Sequence, residues 1–113
     1  MKKRVLQIGL EFIFGPIQKY KEDEHGNAIT GIDAIDKNKD IQTLDREIGE
    51  LWCSLWSKDE NELSGLRFDK EKEKAIAPEL LEKINSLVEK INEVKDDSFE
   101  IQDMITDYLK SRI

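Results

Sequence analysis

The sequence predicts an α+β fold: a small, helix-dominated domain with two long amphipathic helices at about 41–57 and 78–95. A short terminal helix and a small β hairpin or sheet complete this prediction. Apolar residues recur at helical spacing in the two long stretches and alternate in several short ones. The length of 113 residues suits a single domain spanning 1–113.

The clearest helical pattern lies at 78–94, and we expect the rest of the chain to pack around it. Its apolar residues fall on one face, opposite charged residues, and are Leu80, Leu81, Ile84, Leu87, Val88, Ile91 and Val94. Pro78 suits a first helical position, where its missing N–H costs nothing. Residues 70–77 are also helix-prone, which leaves open an earlier start with a kink at Pro78.

The second helix is predicted over 41–57 from one apolar stripe that contains both tryptophans. The stripe consists of Ile41, Leu44, Ile48, Leu51, Trp52, Leu55 and Trp56. Asp40 stands where an N-cap residue would accept hydrogen bonds from the first backbone N–H groups.

The shorter elements are less uniform in pattern. Residues 4–17 alternate as a strand would and equally match a helical face, so strand and helix both remain open. In either case Gly15-Pro16 ends or bends the element. We expect a short strand at 28–35, a brief extended segment at 66–68 and a strand or extended arm at 99–102. The spacing from Asp103 onward predicts the terminal helix.

Charge is distributed unevenly along the chain. The net charge is −7, yet residues 1–21 carry +4, which leaves −11 on the remainder. A protein surface with this excess of negative charge repels nucleic acid and attracts basic proteins. No apolar run is long enough for a membrane span, and Glu11 interrupts the signal-peptide-like start. The lone Cys53 excludes an internal disulfide and fits a reducing cytoplasm.

No catalytic or metal constellation is evident, so we expect no enzyme, metal or cofactor. His25 is the only histidine and lies in a polar turn, whereas Cys53 lacks a base. A small hydrolase would need one of these two residues. Acidic and amide residues at EF-hand-like spacing (Asp36, Asn38, Asp40 and Glu47) lack the required glycine, since Ile41 occupies that position. Helix capping accounts for them better.

Acidic side chains in loops and near helix ends are the candidate contact residues. They are Asp33, Asp36, Asp59, Glu60, Glu62, Asp96, Asp97 and Glu100. Together they suit a basic partner such as a nuclease cleft. Exposed aromatic side chains, sought among Tyr20, Trp56 and Phe68, would supply apolar anchors.

Four segments, 29–36, 44–57, 66–75 and 80–103, together resemble small bacterial immunity proteins. These proteins are encoded beside polymorphic toxins, including contact-dependent growth inhibition systems and the Neisseria MafI type. The resemblance implies a non-enzymatic antitoxin in the cytoplasm that binds its cognate toxin, often an RNase of the EndoU class or another tRNase. It supplies no catalytic residue.

A second hypothesis belongs to a different class of binding protein. An adaptor or regulatory module would use an apolar helix face to assemble with itself or with another protein. The sequence leaves the oligomeric state open.

Overall fold

The computed structural model describes residues 4–11, 15–19, 21–63 and 65–113, and only the backbone of Arg4, Leu10 and Glu11. Helices and small sheets of two or three strands confirm the α+β class. In chain order the elements are β1 (Arg4–Glu11), β2 (Gly15–Ile17), β3 (Lys21–Glu22), β4 (Ala28–Ile29), α1 (Asp33–Asp36), α2 (Lys39–Cys53), β5 (Trp56–Lys58), β6 (Leu66–Phe68), α3 (Lys70–Val94), β7 (Phe99–Asp103) and α4 (Thr106–Lys110).

Helix α3 supplies the largest part of the core, as its apolar stripe predicts. Leu80, Ile84, Leu87 and Ile91 have no exposed surface. Helix α2 packs beside α3 in the opposite direction, because contacts between them pair early residues of one with late residues of the other. These contacts are Asp40 with Lys90 at 3.7 Å, Glu47 with Lys83 at 3.2 Å, and the Ser54 carbonyl with Lys72 at 3.1 Å.

The main sheet has the strand order β2-β1-β7 and answers the question that the sequence leaves open at 4–17. Strand β1 runs antiparallel to β2 and parallel to β7, with Leu6 opposite Ile101. Leu6, Ile8 and Phe99 are buried in the same core as the helices. Residues 12–14 lie outside the described part of the chain.

Helix α2 differs from its predicted bounds at both ends. Asn38, not Asp40, is the N-cap: its side chain accepts a hydrogen bond from the Ile41 N–H at 3.1 Å. The helix ends at Cys53, and Trp56 already begins β5. The apolar stripe continues past the helix because Leu55 and Trp56 still pack on the same core.

Helix α3 begins at Lys70, so the earlier of the two predicted starts is the observed one. Asp69 caps it by accepting the Lys72 N–H at 2.9 Å, and Pro78 lies inside the helix. Ala77, directly before Pro78, and Glu73, about one turn earlier, are buried, so the packed face extends beyond Pro78. Tertiary packing of this face offsets the cost of an interior proline.

The strand predicted at 28–35 is confirmed only at Ala28–Ile29, and 33–36 is helical instead. Asp36 explains the change of direction, because its carboxylate accepts the N–H groups of Thr30 and Gly31, each at 2.9 Å. Gly31 has a φ of +84°, a left-handed conformation that glycine adopts without strain.

Strand β2 is held on helix α2 by the buried carboxylate of Asp45. This carboxylate accepts the Ile17 N–H at 2.9 Å and the Lys19 ammonium at 2.7 Å. Gly49 allows the close approach, since a Cβ there would come within 2.9 Å of the Gly15 Cα. The edge strand is therefore fixed to the helix by a polar contact as well as by packing.

We predict that Asp45→Ala lowers the free energy of unfolding by roughly 3 kcal/mol, because it leaves Lys19 without its buried partner. Chemical denaturation monitored by tryptophan fluorescence measures this change. Thr43→Ala, at an exposed position of the same helix, is the control and should change stability by less than about 0.5 kcal/mol. Equal effects of the two substitutions would contradict a structural role for Asp45.

A second buried carboxylate, Glu73, ties the C-terminal helix to the beginning of α3. It accepts a hydrogen bond from the Tyr108 hydroxyl, and Arg112 Nε lies 3.5 Å from its other oxygen. The Arg112 guanidinium also lies 4.7 Å from the centre of the Tyr108 ring. Partial burial, together with the hydrogen bond to Glu73, raises the pKa of Tyr108 above its usual value of 10.0.

We predict that this contact stabilises the fold at neutral pH and fails under alkaline conditions. Because the folded-state pKa of Tyr108 is raised, its contribution is complete below about pH 10 and falls as pH rises through the folded pKa. Tyr108→Phe should cost roughly 1–2 kcal/mol at pH 7. Urea unfolding of both proteins at several pH values should show this difference shrinking above pH 10. A difference independent of pH would contradict the assignment.

Candidate functional site

Helix α3 separates the eight acidic candidates into two groups at its opposite ends. Its 25 residues span about 37 Å of a molecule that is 48 Å long. Asp59, Glu60 and Glu62 lie in the loop that precedes the helix, between β5 and β6. The others lie in α1, just after the end of α3 or in β7, and form the α1–β7 group: Asp33, Asp36, Asp96, Asp97 and Glu100.

The structure brings part of the α1–β7 group together. Asp33 and Asp96 line one open depression of about 320 Å³, which also contacts Ile32 and Phe99. Residues distant in sequence thus meet at this end of the molecule. The depression joins α1 to the turn before β7.

Several carboxylates of the α1–β7 group already have partners within the chain. Asp36 accepts hydrogen bonds from the Thr30 and Gly31 N–H groups, and Asp33 lies 3.6 Å from the Lys37 ammonium. Hydrogen bonds from the Ser98 hydroxyl and N–H lower the pKa of Asp96. These contacts give Asp36 and Asp96 local structural roles and leave Asp97 as a simple exposed acid.

The second group stands on a β hairpin with a well-packed base. Strands β5 and β6 are antiparallel, with Trp56 opposite Phe68. The rings of Trp56 and Phe68 lie 4.9 Å apart, and Trp52 lies 5.9 Å from Phe68. Both hairpin aromatics are half-buried, so the expectation of an exposed aromatic anchor is wrong for them. Tyr20 lies outside the described residues.

The hairpin loop, residues 59–65, has a defined internal hydrogen-bond pattern. Asp59 donates its N–H to the Gly65 carbonyl at 3.0 Å, and Gly65 donates to the Glu62 carbonyl at 2.9 Å. The Asp59 carboxylate accepts the Asn61 N–H at 2.9 Å. Gly65 has a φ of +75°, which favours glycine at this position.

The carboxylates of the hairpin loop have no salt-bridge partner in the part of the chain that the structure describes. These carboxylates are those of Asp59, Glu60 and Glu62. Glu60 and Glu62 are exposed. Of the two acidic groups, this one is therefore better able to pair with cations of a partner.

Sequence reasoning missed the apolar residue in this loop. Leu63 has a relative exposure of 109%, and no other described large apolar side chain is as exposed. The signal was present in the sequence, where Leu63 stands alone after Asp59, Glu60, Asn61 and Glu62. An isolated leucine in a polar loop has no core of its own to enter.

His25 and Cys53 are the two residues that a small hydrolase would need. His25 lies in the exposed turn between β3 and β4, and its side chain is 75% exposed. Burial raises the pKa of the Cys53 thiol, which favours the protonated, weakly nucleophilic form. Cys53 lines an open cavity of about 580 Å³ that also contacts Lys19 and Asn27.

The residues at EF-hand-like spacing each have a separate contact. Asp36 holds the Thr30–Gly31 turn, Asn38 caps α2, and Asp40 and Glu47 pair with lysines of α3. The described part of the chain contains no cluster of three or more His, Cys, Asp or Glu side chains suited to a metal ion.

No protein-family model matches the chain, and no curated protein or solved structure matches it. Within the described ranges, none of the helices has the length and apolar character needed to cross a membrane.

Proposed function

We propose that this protein is an immunity protein that binds and neutralises a cognate secreted toxin in the cytoplasm of the producing cell. The toxin would be a basic nuclease, such as an RNase of the EndoU class or another tRNase. The observation that carries the proposal is the hairpin loop, with three carboxylates that no described cation neutralises. The resemblance of four segments within 29–103 to immunity proteins agrees with it.

The proposed mechanism is binding steered by charge. An enzyme that holds RNA phosphates presents lysine and arginine side chains along its substrate path. A body with an excess of eleven negative charges beyond residue 21 attracts such a surface over long range. Carboxylates held on the hairpin loop then pair with the cations that otherwise contact RNA. Substrate is excluded because the loop covers the active site or an essential surface.

The packing of the helices favours toxin binding over an adaptor that assembles through a helix face. The apolar residues that would form such a face are buried in the core or pack partly buried against it. Ile48 of α2 and Leu87 of α3, for example, have no exposed surface. These faces are occupied in the folded chain, whereas the hairpin loop is exposed.

We predict that the double substitution Glu60→Gln/Glu62→Gln slows association with the toxin domain, which the proposal places at the C-terminus of the protein encoded directly upstream of this gene. At low salt the association rate constant should fall roughly three- to tenfold. The matched control is Glu79→Gln/Glu82→Gln, which removes the same charge from exposed positions of α3. Stopped-flow or surface plasmon resonance measurements at several salt concentrations give the rates.

The comparison separates local pairing from the effect of net charge. The loop variant should show a weaker salt dependence than the wild-type protein, because two charges at the contact are gone, whereas the α3 variant should stay closer to wild type. Equal slowing by both pairs would argue against the hairpin loop as the contact. A wild-type protein that neither binds the toxin domain nor reduces its nuclease activity would refute the proposed function.

A further inference from the structure

We propose that Leu63 is the apolar anchor of the toxin contact and enters an apolar pocket whose rim carries lysine or arginine. This inference rests on the proposed function and assigns its central contact to a single side chain. Leu63 extends from the hairpin loop with a relative exposure of 109%, beside the loop's three carboxylates. The hairpin loop therefore presents one apolar side chain among negatively charged side chains.

The exposure of Leu63 is unusual within this molecule. Within the described ranges, the other exposed large apolar side chains are Val5 at 46%, Met104 at 60% and Ile113 at 64%. Met104 and Ile113 follow the last strand and the last helix, whereas Leu63 is held away from the core by a hairpin. Water surrounds the whole side chain, so its burial in a partner pocket would remove more apolar area from water than burial of any other exposed large apolar side chain that the structure describes.

Hydrogen bonds on both sides of Leu63 restrain the hairpin loop. Hydrogen bonds from Asp59 to Gly65 and from Gly65 to Glu62 close the loop on itself. Its base is held by the Trp56–Phe68 ring contact and by the Asp69 N–H, which donates to the Leu55 carbonyl at 2.8 Å. A loop restrained by such hydrogen bonds loses less conformational freedom on binding, which favours affinity from a small contact.

Charge selects a basic partner over a second copy of this chain. Self-association through the hairpin loop would bring Asp59, Glu60 and Glu62 against the same three acids of another copy, and like charges oppose such contacts. A cationic rim around an apolar pocket complements both features of the loop. Exposed charges accelerate encounter, and the buried side chain slows dissociation.

The test compares Leu63→Ala with Met104→Ala, a truncation at another exposed apolar position, in the full-length protein. The probe is the purified C-terminal toxin domain encoded directly upstream. Leu63→Ala should raise the Kd by about tenfold or more through faster dissociation, with the association rate within twofold of wild type. Met104→Ala should leave both rates unchanged. Thermal unfolding should give the same Tm for all three proteins, because both side chains are exposed.

The outcomes separate this inference from the proposed function. Wild-type affinity in Leu63→Ala overturns the anchor and leaves the immunity function intact. Absence of binding by the wild-type protein overturns both. Sedimentation of the free protein as a dimer that Leu63→Ala dissociates would assign the side chain to self-association, and would overturn the choice of a toxin partner.

Discussion

Burial of one face of α3 is the constraint on which the rest of the structure depends. Leu80, Ile84, Leu87 and Ile91 lie wholly inside, and α2 and the main sheet complete the core around them. The length of this helix then fixes where the acidic loops can lie. The helix is about 37 Å long, and the two acidic groups lie near its opposite ends.

Buried acids and exposed acids have different roles in this molecule. Asp45 and Glu73 are almost inaccessible, and each connects elements distant in sequence through N–H, ammonium, hydroxyl or guanidinium donors. Asp36 and Asp96 hold turns. Asp59 also holds a turn through the Asn61 N–H, whereas Glu60 and Glu62 are exposed and form no salt bridge with a described cation. The number of acidic residues in the chain therefore exceeds the number of carboxylates that are available for contact with a partner.

The sequence predicts the amphipathic elements well, because burial of a periodic face is a local signal that survives in the fold. Both predicted ends of α2 and the predicted end of α3 lie within four residues of the observed ones, whereas α3 begins eight residues before Pro78. The sequence leaves 4–17 open because alternation and helical spacing coincide there. The sequence predicts Asp40 as the N-cap of α2, whereas Asn38 is the observed one. Both side chains can accept a hydrogen bond from a backbone N–H, and they are only two residues apart. Three features depend on contacts between residues distant in sequence, and the local pattern does not predict them. They are the pairing of β1 with β7, the burial of Asp45 and the division of the acids into two groups.

The central claim is that the hairpin loop, rather than the α1–β7 group, forms the recognition surface. Hydrogen–deuterium exchange of the protein alone and bound to the toxin domain encoded upstream tests this directly, because it reports protection along the whole chain. We expect new protection at residues 59–65 and unchanged exchange at residues 33–36 and 96–100. Protection confined to those two segments, with unchanged exchange in the hairpin loop, would contradict the account.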